Sequence, residues 1–389
     1  MTQKTFLYII AALLLCSCKN DTSVQGKTSD VKIYDIKLSD FKVLEQSFSD
    51  YIKDFSYVEL KTTPENYIAK INKVQIFKTN IYVLDKQKSK LFVFDRKGNF
   101  IRKIGQLGNG PGEYKDIFDF AINTKRETIS ILSNGNIKVM EYDLQSNFLT
   151  DFAFSTFFPE KMNLINNNHY ALYTGNNGDN FKDLAYADLT GKLVKEDFPY
   201  PKDIFYMGFD FTGGISKIGK RFLYAGSSSP RIYEIDTSLN HKNIFNIDLG
   251  PKAWKEEDEF NIERFNKELS KLEMSYLNTN FFINKDILFF GYTDGTKLKS
   301  GFYNISNSHL YTSNSFTPNG VEFIFYNYVG IDSVGRTISA YSPEYYKNSS
   351  NHFDGLNEAL EKLDNNLFNK FKNADENSNQ FLLFFNLSF

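Results

Sequence analysis

The sequence predicts an all-β chain folded as a six-bladed β-propeller, and three observations carry that expectation. An aromatic or aliphatic strand ending in Asp or Asn recurs, as Phe92-Val93-Phe94-Asp95, Met140-Glu141-Tyr142-Asp143, Ala185-Tyr186-Ala187-Asp188 and Tyr233-Glu234-Ile235-Asp236. Two later copies end in Asn, at Gly301-Phe302-Tyr303-Asn304 and Leu383-Phe384-Phe385-Asn386. The intervals between these marks are 48, 45, 48, 68 and 82 residues, and a period near 48 suits one four-stranded blade per repeat. The two long intervals each hold apolar residues at helical spacing. These are Ile262, Phe265, Leu269, Leu272 and Tyr276 within 255–276, and Phe353, Leu356, Leu360, Leu363, Leu367 and Phe371 within 353–371. Setting both insertions aside restores the period and gives six blades.

Composition supports a packed body. Of 389 residues, 41% are hydrophobic, and 39 Phe and 24 Tyr stand against one Trp. A disordered chain has few aromatics and a high net charge, so that class is excluded. The net charge of −2 lacks the basic footprint of a nucleic-acid binder. The two cysteines are Cys16 and Cys18, which leaves the folded body without disulfides or thiolate metal sites.

The chain opens on an address. Lys4 precedes an apolar run of ten residues, Phe6 to Leu15. A membrane-spanning helix needs about 20 residues, so the run reads as the core of a secretory signal. Leu15-Cys16-Ser17-Cys18 resembles the bacterial lipobox, with an aliphatic residue three positions before Cys18 and a small one directly before it. The resemblance implies cleavage after residue 17 and lipidation of Cys18, while bulky Leu15 disqualifies Cys16. Acyl chains contribute about 0.8 kcal/mol per buried methylene and would anchor the protein. Residues 18–30 then form a polar tether, and 31–389 the propeller.

Within blade 1, Val74–Lys78, Ile81–Asp85, Leu91–Asp95 and Phe100–Ile104 are the expected strands, in order from the inside out. Gly98 supplies the positive φ of the last hairpin. Phe381 to Phe389 fits the third strand of blade 6 and ends the chain given. A blade without its outer strand leaves a raw edge, so Tyr57-Val58-Glu59-Leu60 is expected to close it. Val31 to Ile36 is expected to pair nearby.

Gly105-Gln106-Leu107-Gly108-Asn109-Gly110-Pro111-Gly112-Glu113-Tyr114 follows blade 1. With Val83-Leu84-Asp85 and Phe94-Asp95-Arg96-Lys97-Gly98-Asn99-Phe100-Ile101, it resembles the six-bladed β-propeller lipoproteins of Gram-negative gut and environmental bacteria, which are distantly similar to NHL-repeat propellers. The match is dense over 57–120. It implies a propeller on a lipid anchor in the outer membrane, periplasmic or surface-exposed, with no settled activity. The final Phe384-Phe385-Asn386 departs from the aliphatic-tyrosine-lysine ending common in relatives.

The glycine-rich loop is a poor phosphate cradle, because Pro111 removes a donor and no Lys-Ser/Thr pair follows Gly112. It reads as an inter-blade crossover. Gly108, Gly110 and Gly112 are expected to take unusual φ, and Glu113 and Tyr114 to pin the loop. The alternative is a ligand contact, made with Pro111, at the channel rim. His169, His241, His309 and His352 lack metal-ligand spacing, and no Gly-x-Ser-x-Gly elbow appears. No catalytic residue, metal or cofactor is assigned. Asp85, Asp119 and Glu322 read as turn-stabilising acids, and Gly226-Ser227-Ser228-Ser229-Pro230 as a turn. The acidic run Lys255-Glu256-Glu257-Asp258-Glu259 suits a helix start. Tyr341-Ser342-Pro343-Glu344-Tyr345-Tyr346 reads as an aromatic loop able to stack on sugars.

The functional expectation is a membrane-anchored, non-catalytic module that binds a carbohydrate, a peptide or an envelope protein. The rival is a carboxylate- or metal-dependent hydrolase or lactonase at the channel mouth.

Overall fold

The computed structural model describes residues 32–389, except 136, 155–157, 176–181, 201–213, 219–220, 227–228, 254–274, 296, 317–318, 354 and 376. Cys18 with its leader and tether, the acidic run 255–259, Ser227-Ser228 and nearly all of the helix expected over 255–276 lie outside the described residues. The last two residues of that expected helix, Ser275 and Tyr276, begin a strand instead.

Ile33–Phe389 form one compact unit, a six-bladed propeller of antiparallel sheets. The blades span 73–103, 119–153, 161–199, 214–248, 275–312 and 328–387, and the last takes its outer strand from Ile52–Glu59. The first strands of neighbouring blades adjoin one another around the central channel. In blade 1 the four strands are Lys73–Phe77, Asn80–Asp85, Lys90–Asp95 and Phe100–Lys103, each within a residue of expectation.

Burial follows position in the blade. Asn80–Asp85 is buried almost throughout, whereas the outer strand of blade 2, Phe148–Ala153, is exposed almost throughout. Middle strands are covered on both faces by adjacent blades, so they carry continuous β-branched and aromatic runs. The aromatic surplus fills the joints. Between blades 5 and 6, Phe302, Phe316, Phe325, Phe371 and Phe385 are all buried.

The recurring Asp marks are explained by local hydrogen bonding. Asp95 Oδ1 accepts from the backbone N–H of Lys97 at 2.8 Å and of Asn99 at 2.9 Å, and Oδ2 accepts from Asn99 Nδ2 at 2.7 Å. Asp143 repeats the pattern with Gln145 and Asn147, and Asp236 with Ser238 and Asn240. Asp188 does so with Thr190 and Lys192. One carboxylate thus satisfies the amides of a turn that joins strands three and four. Gly98 takes the positive φ this turn needs, 80°.

The closing strand is where it was expected, but longer. Ile52–Glu59 runs antiparallel to Phe381–Leu387, with Tyr57 opposite Leu383 and a register shift between Lys53 and Ser56. Asn379 then accepts from the N–H of Ile68 at 2.8 Å, fastening the passage from blade 6 to blade 1.

Other expectations are corrected. The segment before the closing strand does not pair near blade 6. Tyr34–Lys37 lies parallel to the outer strand of blade 4, with Tyr34 opposite Phe245 and Ile36 opposite Ile247. Ile36 is buried there, Tyr34 stacks on Phe245 at 5.4 Å, and Asn246 Nδ2 donates to Asp35 Oδ1 at 2.7 Å. The chain next bridges blade 5, where Lys42 N–H donates to the Leu310 carbonyl at 2.8 Å. It then buries Phe48. Residues 33–59 are therefore a strap over the edges of blades 4, 5 and 6.

The insertion in blade 6 is also not one helix. A short helix α1 (Glu322–Phe325) precedes the blade, and three more, α2 (Pro343–Ser350), α3 (Leu356–Leu363) and α4 (Asn365–Asn373), fill the insertion. Asp364 breaks the expected run: its φ is −161°, and its side chain accepts from Leu367 N–H at 2.8 Å to cap α4. The apolar stripe survives the break, since Leu356, Leu360, Leu367 and Phe371 are buried. The Tyr341–Tyr346 stretch is the end of a strand and the first turn of α2, capped by Ser342. Of its tyrosines only Tyr345 is exposed.

Candidate functional site

The glycine-rich loop forms a miniature parallel pair, Gln106-Leu107 against Glu113-Tyr114. Glu113 is its pin, as Oε2 accepts from Gly110 N–H at 2.8 Å and Oε1 from Gln106 Nε2 at 2.6 Å. These hydrogen bonds, that from Gly110 foremost, hold its carboxyl below the usual range. The buried Tyr114 hydroxyl donates to the Ile104 carbonyl at 3.1 Å. Gly112 alone of the three glycines has a positive φ, 74°. Gly108 is needed for closeness instead: a Cβ there would sit 1.9 Å from Glu113 Oε2.

The loop lies on the outer flank of blade 2. Tyr142 donates its hydroxyl proton to the Gly112 carbonyl at 3.0 Å, and a Cβ at Gly112 would strike Phe148. With Pro111, Lys115, Lys138, Met140 and Asp151 the loop borders an open pocket of about 580 Å³. Tyr142, Met140 and Asp151 belong to the outer two strands of the blade, away from the channel rim.

The inner strands assemble a second site that the sequence did not announce. Lys73, Asp119 and Lys161 are the first residues of the inner strands of blades 1, 2 and 3. Lys73 Nζ donates to Asp119 Oδ1 at 2.8 Å, to the Phe120 carbonyl at 2.8 Å and to the Met162 carbonyl at 3.1 Å. Asp119 Oδ2 accepts from Met162 N–H at 2.7 Å. One ion pair thus ties three blades at the end of the channel where the crossovers enter. Lys161 stands beside it with its ammonium 5.7 Å from the Tyr173 ring. Lys217, from the inner strand of blade 4, is close enough for the charge of Lys73 to be felt.

The other two candidate acids lie elsewhere. Asp85 is fully buried, and accepts from the N–H groups of Ala69 and Lys88 at 2.7 and 3.0 Å. Glu322 heads α1 and is buried, which raises its pKa above the ordinary carboxylate value. The histidines are dispersed. His169 and His309 lie on blades 3 and 5, His241 pairs with Asp197 at 2.8 Å, and His352 Nδ1 lies 2.7 Å from the Asn348 carbonyl. Among the described residues no three His, Cys, Asp or Glu side chains group as metal ligands.

Burial pushes the pKa of Lys161 down to about 8 from 10.5. Lys86 and Lys73 of blade 1 push in the same direction, and Asp119 of blade 2 and Glu160 of its own blade oppose them. The unfolded chain holds the Lys161 proton up to a higher pH than the folded one does. Its penalty is therefore complete below pH 8 and is relieved as pH rises from 8 towards 10.5. Urea melts from pH 7.5 to 10 should show Lys161→Met more stable than wild type at the low end, by about 2–3 kcal/mol, with the gap narrowing upward. A constant gap would contradict this.

A family recorded as a domain of unknown function, DUF4934, matches residues 33–386. The chain belongs to that family. No curated protein matches it. The DUF4934 propeller is similar to the crystal structure of a Bacteroides fragilis protein classed as exported, with a TM-score of 0.73, 17% identity, and coverage of 92% of this chain and 100% of that one. It is also similar to a DUF4221-family member from Bacteroides vulgatus, with a TM-score of 0.50, 13% identity, and coverage of 67% and 84%. At such identities the likeness shows the fold, and the strap and channel of the DUF4934 chain stand on their own residues.

Proposed function

We propose that this protein is a lipid-anchored envelope component, an outer-membrane lipoprotein, whose propeller captures a ligand or protein partner without covalent chemistry. The observation that carries this reading is that two of the three candidate acids are occupied and the third is buried. Asp119 holds Lys73 and two amides, Asp85 holds two turn amides, and Glu322 is shut in the joint between blades 5 and 6. A carboxylate does acid–base work only when it lies free within reach of a substrate proton. The exported class of the Bacteroides fragilis neighbour and the Leu15–Cys18 motif support the envelope location. Support for the finer kinship with NHL-repeat propellers comes from the 83–114 block.

The full chain, expressed in a Gram-negative host, tests both halves. Cys18→Ala should abolish acyl labelling and release the protein from membranes, and Cys16→Ala should do neither. Material bound to the detergent-solubilised chain should be recovered chemically unchanged by mass spectrometry. Retained acylation in Cys18→Ala defeats the anchor, and a converted ligand defeats the binding reading.

A further inference from the structure

A pre-built hollow lies between the glycine-rich loop and blade 2. Its floor is one face of the outer part of that blade. Lys138 and Met140 alternate on the third strand, and Asp151 of the fourth strand lies opposite Met140, so all three point to the same side. Met140 is almost wholly buried, and beside it Lys138 Nζ donates to Asp151 Oδ2 at 2.8 Å. Pro111, Glu113 and Lys115 form the facing wall. That wall is fixed before any ligand arrives. Glu113 N–H donates to the Gly110 carbonyl and Gly108 N–H to the Tyr114 carbonyl, both at 3.0 Å, and the Glu113 carboxylate and Tyr142 hydroxyl fasten the same turn. An ordered wall gives up little conformational entropy on binding. The volume of about 580 Å³ lies within the range of small-molecule sites, about 300–1,000 Å³.

Among the described residues that line the pocket, the charged side chains balance, with Lys115 and Lys138 against Glu113 and Asp151. A wall of one sign concentrates counter-ions, whereas a balanced one favours neither anions nor cations. The hydrogen-bonding groups left over are mixed as well. Lys115 is exposed and holds no ion pair among the described residues. Lys138 keeps ammonium protons beyond the one given to Asp151, and each carboxylate has acceptor lone pairs to spare. An uncharged ligand that answers donors and acceptors together carries hydroxyl groups, each of which both gives and accepts. Met140 and Pro111 offer apolar contact to the C–H face of a sugar ring. We infer that this pocket is a binding site for a neutral saccharide, held by hydroxyl hydrogen bonds to Lys115, Lys138, Glu113 and Asp151 with a ring face on Met140 and Pro111. The inference rests on the capture reading above and gives its ligand class and its place.

The test uses the full chain in a sugar-free polyoxyethylene detergent, screened on an array of neutral and acidic oligosaccharides. The best neutral probe is then titrated by calorimetry, with glycylglycine as a zwitterionic rival. Wild type should bind at least one neutral oligosaccharide saturably. Lys115→Ala and Asp151→Asn should each weaken that binding about tenfold, the loss of one charge-assisted hydrogen bond. Both variants should melt close to wild type, because both residues are exposed. Lys78→Gln, which alters a pair with Glu127 away from the pocket, should bind as wild type. Lack of saturable binding to any neutral oligosaccharide, binding of acidic sugars or glycylglycine alone, or unchanged affinity in either pocket variant overturns the inference. Those outcomes leave the capture of another envelope ligand standing. That reading fails on different results, a converted ligand or no material recovered with the chain.

Discussion

Phe48→Ala should lower the stability of the propeller by about 3–5 kcal/mol, the range for emptying a fully buried phenyl site. Phe48 is 1% exposed and is the point at which the strap enters the core. Its ring centroid lies 5.1 Å from Phe316, 5.4 Å from Phe302, 5.8 Å from Tyr326 and 5.9 Å from Phe325. Those four rings come from the joint between blades 5 and 6, so Phe48 fills a wedge that neither blade fills alone. The preceding turn is organised for this entry, as Ser47 and Asp50 form a reciprocal capping box. Phe48→Leu should recover roughly half of the loss, because most of the apolar volume returns. Denaturant midpoints measure the loss, and amide exchange over 33–47 locates it. A midpoint near wild type, with that segment still protected, would show that the strap is ornamental.

Asp119→Ala is the second large effect, at about 3–5 kcal/mol, because it strands a mostly buried ammonium. The side chains of Lys73 and Asp119 are 20% and 8% exposed, so solvent compensates little. The loss is larger than one hydrogen bond would give, since Met162 N–H of blade 3 also loses its acceptor. Asp119→Asn keeps an acceptor and should cost less. Adding Lys73→Met to Asp119→Ala removes the stranded charge and should restore part of the stability, a coupling a double-mutant cycle reads directly. If the double variant is no better than the single one, the charge is not the cause.

The contrast between what the chain displays and what it conceals has a physical basis. Asp95, Asp143, Asp188 and Asp236 were legible because their chemistry is local: each carboxylate completes a turn within four residues of itself. Blade 1 was legible strand by strand for the same reason, with its hairpins written in adjacent residues. Tyr34–Lys37 was not. Its backbone would pair with any exposed edge, and the choice of blade 4 is made by Phe245 and Asn246, more than 200 positions away. The break at Asp364 was hidden because the apolar stripe of 353–371 continues through it. The site at the channel was equally hidden. Lys73 reaches Asp119 across 46 positions and Met162 across 89, and lysines ahead of apolar strands look like ordinary solvated ends. Knowing the phase of the blades is what makes Lys73 and Asp119 a pair. The glycine loop was half legible, its hydrogen-bond pins foreseen and its seat on the flank of blade 2 not.

The strap gives the molecule a defined response to tension. A pull on the chain ahead of Ile33 meets the Tyr34–Lys37 pairing on blade 4 first, then the Phe41–Leu310 bridge on blade 5, and then Phe48. Only after these release in series does load reach Ile52–Glu59, the strand that keeps the propeller shut. Three fastenings on three blades thus act as a strain relief, so that force at one end is spent along the rim before it can open the circle.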